Sequence, residues 1–554
     1  MPTLTWIGKE KVINHHRDVP YKILEHQYGF SAENGESKVP VNSGNKIIHG
    51  DNLEALKSLL PEYEGKIKCI YIDPPYNTGN ENWIYNDNVN HPKIRKWLEA
   101  TLKAKENGRE AVIGIDDLAR HDKWLCMMYP RLTLLHKLLA KDGFIAISID
   151  DNELYNLGLL MNEIFGSNNR LACIPVKSEP SGGKGKDALR IGHEYLLVYY
   201  RENTSGLKLE TKDVLGAILK DKKGEYTKGR ELSKWGSESL RQDREEMWFP
   251  LIAPDGTEIY PIRNDGKEGR WRWGKKNPKI IEILKDPSCA HWDKRKFDEG
   301  IIVNGVNERW FPFEKIRKKE KTFGWNTWLD TIGYNSEGTK EIKEIFKDKI
   351  FDTPKPTRLL EWIINLIINT DGIVLDSFAG SGTTAHAVLN LNNKDGGNRK
   401  FILVEMEDYA DSITAERVKR VINGYAGKEG TGGGFDYFVL GKPLFIGENS
   451  EFLNEEVGND KIREYIWFSE TRTTWGKPVL KKETQYFLGK KDGTSYYFIY
   501  EKDSLTTLDY DLLSTIKSKA GQYVIYADNC LLAKDFMMKH NIIFKKIPRD
   551  ITRF

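Results

Sequence analysis

In "KIKCIYIDPPYNTGN", residues 66–80, a predicted strand stops at an acid and two prolines. The run 66–73 is rich in apolar and β-branched residues, which is typical of a strand buried on both faces of a parallel sheet. Pro74 and Pro75 have a fixed φ and no N–H. The loop after Asp73 is therefore predicted to be stiff, with free carbonyl acceptors.

Strands and helices alternate on either side of this stretch. "KWLCMMYPRLTLLHKLLAKDG" (123–143) predicts a helix with a kink or break at Pro130. The alternation of predicted strands and helices is lost after about residue 202 and returns near residue 350. Further strands are predicted at "GFIAISID" (143–150), "GHEYLLVYYR" (192–201), "GIVLD" (372–376) and "KFILVEME" (400–407). This alternation indicates an α/β fold with a mostly parallel sheet and helices on both faces.

The chain has 554 residues, which is too long for one core and predicts about three to four domains. Short charged runs and a glycine-rich linker near 427–436 suggest the boundaries. The predicted parts are an N-terminal arm (1–44), one half of the core (45–204), an irregular insertion (205–350), the other half of the core (351–430) and a small C-terminal α/β domain (435–554).

Composition excludes several classes of protein. The net charge is only +3, so nucleic-acid binding would need a local basic patch. The five cysteines contain no CxxC pair, which argues against a zinc site or a disulfide framework and fits a reducing cytoplasm. No metal site is predicted. We find no apolar run of membrane-spanning length, so no membrane association is expected.

A second motif, "DSFAGSGTTAHAV" (376–388), follows a predicted strand and opens a helix. Gly380 and Gly382 would let the backbone turn tightly and approach a ligand, with the N–H groups of the helix N-terminus facing it. Glu405 ends the next strand, where an acid is placed to hold ribose hydroxyls. The alternative is an ordinary glycine turn with a solvated glutamate.

Asp73 is predicted to lie at the carboxyl end of a central strand, where side chains face the ligand crevice of a parallel sheet. An acid next to rigid carbonyls suits an exocyclic amino group, which carries two donor hydrogens. Tyr76 adds a face on which a planar base can stack. The alternative is a rigid strand-to-loop turn whose acid caps a helix.

"DPPY" together with "DSFAGSG" resembles the S-adenosylmethionine-dependent amino-methyltransferases of DNA, in the β class with the tetrad before the glycine loop. "ISIDDNE", "GHEYLLVYYR", "KPTRLLEWII" and "GGGFDYFVLG" are similar to the modification subunits of type III restriction–modification systems. The resemblance implies a Rossmann-like methyltransferase sheet, mostly parallel and circularly permuted in motif order. It also implies an inserted DNA-recognition domain and a small C-terminal domain.

The resemblance also implies a role for each matching residue. Asp73, Pro74, Pro75 and Tyr76 would form the target-base pocket, with Asp73 and the Pro74 carbonyl orienting the amine for direct in-line attack. The base would first have to leave the duplex. The residues implied to bind S-adenosylmethionine are Asp51, Lys355, Thr357, Asp376, Phe378, Gly380, Gly382 and Glu405.

The Asp-Pro-Pro-Tyr form of the tetrad implies transfer to N6 of adenine. The alternatives are a cytosine-N4 methyltransferase, a methyltransferase of RNA or of a protein amide, and a catalytically silent nucleic-acid-binding module. No Pro-Cys pair occurs in the chain, so the nucleophile of a cytosine-C5 enzyme is missing.

The insertion at 205–350 is the candidate DNA reader, because it contains eight of the 15 tryptophans and interleaves them with basic residues. Basic side chains supply phosphate contacts, and arginine can read guanine edges. The alternative is a small domain with an aromatic core and a solvated charged face. The predicted DNA-binding residues are Arg270, Arg272, Lys275, Arg309, Arg317, Lys318 and Lys319.

The partners implied are double-stranded DNA, a second copy of the chain in a homodimer, and a separate restriction subunit. No GxxxxGK[ST] loop is present, so the motor of such a complex would be a different chain. The implied location is the cytoplasm of a prokaryote, in association with the nucleoid.

Overall fold

A computed structural model describes residues 4–78, 115–179, 189–213, 217–317, 320–447, 451–478, 485–516 and 518–552. The chain folds as two compact units, one made of Met1–Lys208 with Asn326–Phe554 and one of Leu209–Trp325. The predicted insertion (205–350) therefore extends too far. Its last part, including the helix Asn335–Phe346, folds with the first unit.

The strands are numbered along the chain. They are β1 Lys22–Ser31, β2 Gly35–Ser37, β3 Lys46–His49, β4 Ile67–Ile72, β5 Leu139–Ile149, β6 Arg170–Lys177, β7 His193–Tyr200, β8 Glu210–Asp213, β9 Ile218–Asp221, β10 Gly224–Glu231, β11 Leu251–Ile252, β12 Glu258–Ile259, β13 Ala290–Lys296, β14 Glu308–Ile316, β15 Glu320–Phe323, β16 Asp371–Asp376, β17 Asn398–Glu405, β18 Gly424–Tyr425, β19 Lys428–Glu429, β20 Gly434–Pro443, β21 Phe445–Ile446, β22 Phe452–Leu453, β23 Phe487–Lys491, β24 Thr494–Phe498, β25 Thr507–Leu508, β26 Gln522–Ala527, β27 Asn529–Cys530 and β28 Ile542–Lys546.

The α-helices of the described part are Lys9–Val12, His15–Asp18, Asn52–Tyr63, Ile115–Leu138, Leu154–Phe165, Pro278–Lys285, Asn335–Phe346, Thr357–Ile367, Thr383–Asp395, Glu416–Asn423, Asn459–Thr471, Tyr510–Ser514 and Lys534–Lys539. Among these described residues, no helix is both long enough and apolar enough to cross a membrane.

A ten-stranded mixed sheet forms the body of the first unit, in the order β2-β1-β20-β3-β17-β16-β4-β5-β7-β6. The six adjacent strands from β20 to β5 are parallel to one another. β7 runs antiparallel to both of its neighbours, and β1 runs antiparallel to β20. The apolar run in β4 is buried as predicted, and Ile67, Cys69 and Ile70 have no exposed surface.

Both ends of the predicted core are corrected by this sheet. The N-terminal arm is not a separate element, because β1 and β2 extend the sheet at its edge. The C-terminal domain does not begin at residue 435, because β20 is inserted between β1 and β3. A further four-stranded sheet, β23-β24-β26-β28, lies beyond it.

The predicted break at Pro130 does not occur, because the helix Ile115–Leu138 continues through it. Met128 and Leu132 on either side are fully buried. Packing of this face stabilises the helix despite the hydrogen bond that proline removes.

Parallel pairing brings four chain segments to one edge of the sheet. β3, β17, β16 and β4 are neighbours that point the same way, so the residues at their carboxyl ends meet there. Asp51 follows β3, Asp73 follows β4, and Asp376 and Glu405 are the last residues of β16 and β17. This edge is where a ligand crevice is expected.

The second unit contains the four-stranded antiparallel sheet β13-β14-β10-β9. Its core is built around Trp271, which is fully buried, together with Phe249 and Leu251. Part of the tryptophan content therefore stabilises this unit rather than lying on its surface.

Gly338 should be indispensable for the packing of the helix Asn335–Phe346. A Cβ at this position would lie 2.0 Å from the Pro354 carbonyl oxygen. We expect Gly338→Ala to lower the free energy of unfolding by about 1–3 kcal/mol, measured by urea denaturation, because the loop must move.

Gly158→Ala is the matched control, since this helical glycine would meet only Leu197 Cδ2 at 4.0 Å. It should leave stability unchanged or raise it by up to about 1 kcal/mol. Equal effects of the two substitutions would contradict the predicted contact.

Candidate active site

A pocket of about 460 Å³ lies at the carboxyl edge of the large sheet. The residues after β4 form one side and the glycine loop after β16 forms another. Its lining residues are Tyr71, Asp73, Pro74, Pro75, Tyr76, Glu194, Asn335, Phe351, Asp352, Thr353, Pro354, Lys355, Asp376, Phe378, Ala379, Gly380, Ser381, Thr383, Thr384 and Tyr409. The two predicted motifs thus share one cavity of a size that suits a small-molecule ligand.

Asp73 belongs to a compact polar cluster with Tyr76, Glu194 and Lys355. The Tyr76 hydroxyl lies 2.9 Å from Asp73 Oδ1 and 3.1 Å from Glu194 Oε2. Lys355 Nζ donates to both carboxylate oxygens of Glu194 at 2.8 Å and to the Tyr76 hydroxyl at 2.6 Å. Its distance to Asp73 Oδ1 is longer, at 3.4 Å.

The charges of this cluster depend on one another. Burial raises the pKa of Asp73; the Lys355 ammonium opposes this rise, and the Glu194 carboxylate adds to it. Burial disfavours the charge on Lys355, but Asp73 and Glu194 together raise its pKa above the ordinary value. Lys355 is therefore an ammonium ion shared unequally between two carboxylates.

Glu194 was not predicted from the sequence. The strands were predicted to be parallel, and in a parallel sheet the site residues are expected after the carboxyl end of each strand. Because β7 is antiparallel to β5, its first residues lie at the edge where the parallel strands end. A single acid at the start of the apolar strand "HEYLLVYY" was the signal available.

The loop after β16 is tied down by two buried acids. Asp376 accepts hydrogen bonds from the Phe378 N–H at 3.0 Å and the Thr384 hydroxyl at 2.5 Å. Glu405 accepts from the Gly380 N–H at 2.7 Å and from the N–H groups of Met406 and Glu407. Neither carboxylate has a charged partner among these contacts.

The two predicted glycines have different surroundings. Gly380 has φ +51°, and a Cβ there would lie 3.3 Å from the Phe351 ring, which lines the pocket. Gly382 has φ +80°, and its Cβ would meet the Thr414 carbonyl oxygen at 3.0 Å instead. The close approach of backbone to a ligand therefore applies to Gly380, whereas Gly382 shapes the start of the helix Thr383–Asp395.

Aromatic rings also line the pocket beside the glycine loop. Phe378 was predicted, whereas Phe351 and Tyr409 were not. The last two rings pack edge to face with their centroids 5.6 Å apart. Tyr409 follows β17 by four residues, a position that sequence motifs did not mark.

Thr357 and Asp51 have local partners and are not among the lining residues. The Thr357 hydroxyl donates to Glu341 at 2.5 Å. Asp51 caps the helix Asn52–Tyr63 by accepting from the N–H groups of Leu53 and Glu54. Their predicted contact with a cofactor stays a prediction.

Arg417 supports the glycine loop after β16 and was also not predicted from the sequence. Its side chain is fully buried and donates to Ser381 Oγ at 2.9 Å and to Thr383 Oγ1 at 2.8 Å. Glu341, 3.2 Å away, is its charged partner. This arginine holds two pocket hydroxyls in position.

Residues predicted to contact DNA differ in their exposure within the second unit. Arg270 and Arg309 are buried and donate to backbone carbonyls, so their prediction as surface contacts is corrected. Arg272 is half-buried and donates to the Glu231 carbonyl at 2.7 Å. Lys275 and Arg317 are exposed, and Arg317 pairs with Asp221. Lys318 and Lys319 lie outside the described residues.

Comparison with known proteins identifies the family. The family model described as "DNA methylase" matches residues 67–416, which is more than half of the chain and includes both motifs of the pocket. The chain belongs to this DNA methylase family.

Relatives of this chain include restriction–modification proteins. It is 35% identical over 391 residues to the type II methyltransferase M.KpnI of Klebsiella pneumoniae, covering 68% of this chain and 84% of that protein. The type III enzyme EcoP15I Mod subunit of Escherichia coli is 30% identical over 510 residues, with 85% and 77% covered.

The StyLTI Mod subunit of Salmonella typhimurium strain LT2 is 34% identical over 400 residues, or 69% of this chain. The match spans only 57% of that relative's own length. A large part of the StyLTI Mod subunit therefore lies outside the match with this chain.

No group of three or more His, Cys, Asp or Glu side chains is arranged to hold a metal ion in the described part of the chain. The pocket chemistry consists of carboxylates, hydroxyls, aromatic rings and one ammonium.

The buried carboxyl group of Asp376 should make the folded protein less stable as the pH rises. Burial raises its pKa from 3.8 to about 7. Between these pH values the folded protein keeps a proton that the unfolded chain has released, so the unfolding free energy falls as pH rises. Asp376→Asn lacks this dependence, so its stability relative to wild type should rise between pH 5 and pH 8, by about 3 kcal/mol at most.

Urea unfolding at both pH values measures this difference. Glu405→Gln is the companion variant, because burial raises the pKa of Glu405 to about 7 as well. It should show the same sign. A difference from wild type that does not change with pH would contradict the buried-acid assignment.

Proposed function

We propose that this DNA methylase is a site-specific DNA methyltransferase that transfers a methyl group from S-adenosylmethionine to N6 of adenine in duplex DNA. The observation that supports this most is the shared pocket of the tetrad Asp73–Tyr76 and the glycine loop after β16. A methyl donor on one side and an amino acceptor on the other would meet there. We also propose that the sheet is a methyltransferase sheet with circularly permuted motif order and that it carries a DNA-recognition insertion.

The pocket residues fit S-adenosylmethionine. The positive φ of Gly380 leaves space where a Cβ would contact Phe351, so the backbone can come close to a ligand. Phe351, Phe378 and Tyr409 offer apolar faces to a purine, and the carboxylates suit a cation. Asp376, Phe378 and Gly380 would hold the cofactor directly, while Gly382 and Glu405 would shape their loop.

S-adenosylmethionine supplies a methyl group already activated on a sulfonium. The chain has to orient the target amine and exclude water. Asp73 would accept one amino hydrogen, which directs the nitrogen lone pair towards the methyl group. Tyr76 would stack on the flipped base.

The Pro74 carbonyl would accept the second amino hydrogen. Trp124 Nε1 donates to the Pro75 carbonyl at 2.7 Å, which fixes the proline pair from behind. Within the part that the structure describes, no backbone N–H donates to the Pro74 carbonyl oxygen.

The second unit, Leu209–Trp325, is proposed to read the DNA sequence. Its exposed cations Lys275 and Arg317 would contact phosphates, and Arg317 would exchange its Asp221 partner for one. Lys318 and Lys319 follow Arg317 in sequence and extend this basic run.

The names of the relatives support a role as a modification subunit. Two of those named above are Mod subunits of type III restriction–modification enzymes. We propose that this chain likewise works with a separate restriction subunit and forms a homodimer. Size measurement of the purified chain, alone and with a co-expressed restriction subunit, tests both statements.

Asp73→Ala should abolish methyl transfer but not cofactor binding. Loss of one oriented acceptor at a desolvated site costs about 10²–10³-fold in rate or more. Single-turnover transfer of labelled methyl to genomic DNA measures this, and calorimetry measures S-adenosylmethionine affinity, which should change little.

Asp150→Ala is the matched control, because Asp150 directly follows the neighbouring strand β5 and is not a lining residue. Its rate should stay near that of wild type. If Asp73→Ala transferred methyl groups at a rate near that of wild type, the tetrad would be only a rigid turn without a catalytic role. Mass spectrometry of the digested product separates N6-methyladenine from N4-methylcytosine.

Neutralising the basic run should weaken DNA binding without affecting the cofactor. Each lost phosphate contact reduces the steepness of the plot of log K against log salt concentration by about 0.9. For Arg317→Gln combined with Lys318→Gln and Lys319→Gln, we expect a reduction of about 2–3, measured by fluorescence anisotropy. An unchanged slope would show that the run is a solvated face.

A further inference from the structure

Two carboxylates compete for one ammonium ion in the pocket, and the competition is uneven. Lys355 Nζ lies 2.8 Å from both oxygens of Glu194 but 3.4 Å from Asp73 Oδ1. Glu194 and Lys355 are 5% and 8% exposed, so solvent screens their attraction weakly. Glu194 therefore holds most of the ammonium's hydrogen-bonding capacity.

The position of Lys355 matters because Asp73 is the acceptor on which the proposed reaction depends. An ammonium and an exocyclic amino group are both hydrogen-bond donors, and they would compete for the Asp73 carboxylate. A buried carboxylate left alone with a buried ammonium forms a short, strong ion pair. Such a pair would block the amine.

We propose that Glu194 is a positioning residue that draws Lys355 away from Asp73 and so keeps Asp73 open for the target amino group. This inference rests on the proposed methyltransferase function. It gives Lys355 a place in the target-amine part of the pocket, whereas the sequence resemblance implied that it binds S-adenosylmethionine.

Tyr76 fits the same arrangement. Its hydroxyl lies between the two carboxylates, 2.9 Å from Asp73 Oδ1 and 3.1 Å from Glu194 Oε2, and accepts from Lys355 Nζ. The ammonium also lies 4.9 Å from the centre of the Tyr76 ring, within cation–π range. Lys355 is thus held beside the ring by Glu194, and its ammonium stays 3.4 Å from Asp73 Oδ1.

The critical experiment compares Glu194→Gln with the double variant Glu194→Gln/Lys355→Met. In Glu194→Gln the ammonium keeps only one carboxylate, Asp73, and should close on it. Single-turnover methyl transfer at saturating S-adenosylmethionine should fall about 10²–10³-fold, as for loss of the acceptor itself. The affinity for S-adenosylmethionine should change by less than about threefold.

The double variant removes the competing ammonium together with its partner, and both substitutions preserve approximate shape. It should transfer methyl groups at least about tenfold faster than Glu194→Gln, because Asp73 is free again. A purely structural role for Glu194 predicts the opposite, since a second buried substitution would add to the damage.

Three results would overturn the proposal. They are a Glu194→Gln rate within threefold of wild type, a double variant no faster than Glu194→Gln, and loss of S-adenosylmethionine binding by the double variant. The last would return Lys355 to the cofactor site. Thermal melting of each variant reports folding. If wild-type protein failed to methylate DNA, the proposed function would be wrong, which is distinct from all three results.

Discussion

The pairing of β4 with β16 is the contact on which the site depends. Val374 pairs with Cys69 and Leu375 with Ile70, in parallel register, although about 300 residues separate the two strands. The pairing places the end of one strand beside the end of the other. Asp73 and Asp376 consequently line the same cavity, and neither motif would have a partner without it.

Buried charge is the second constraint, and it is balanced locally. Lys355 lies between Asp73 and Glu194, whereas Arg417 is matched by Glu341 below the glycine loop. Asp376 and Glu405 instead have pKa values raised by burial, and they accept hydrogen bonds from N–H and hydroxyl donors. Each arrangement avoids an unpaired ion in a desolvated place. The polar groups of the pocket therefore have partners before any ligand binds.

Much of this arrangement was predictable from sequence. The β4 run with Asp73 after it, and the β16 strand with its glycine loop, have local signals strong enough to place both motifs at a carboxyl edge. Strand direction has no such local signal, so Glu194 at the start of the reversed β7 was missed. Arg270 and Arg309 were misjudged for a similar reason, since burial depends on tertiary packing that charge alone does not reveal.

The separation of paired strands also has a consequence for biosynthesis. β4 emerges from the ribosome early and pairs with β5, but its other edge waits for β16. At about 5–20 residues per second, the intervening roughly 300 residues take on the order of 15–60 s to synthesise. During that time an apolar strand with unpaired N–H and C=O groups is open to association with other nascent chains. Slower growth at low temperature or abundant chaperone should therefore favour recovery of the intact protein.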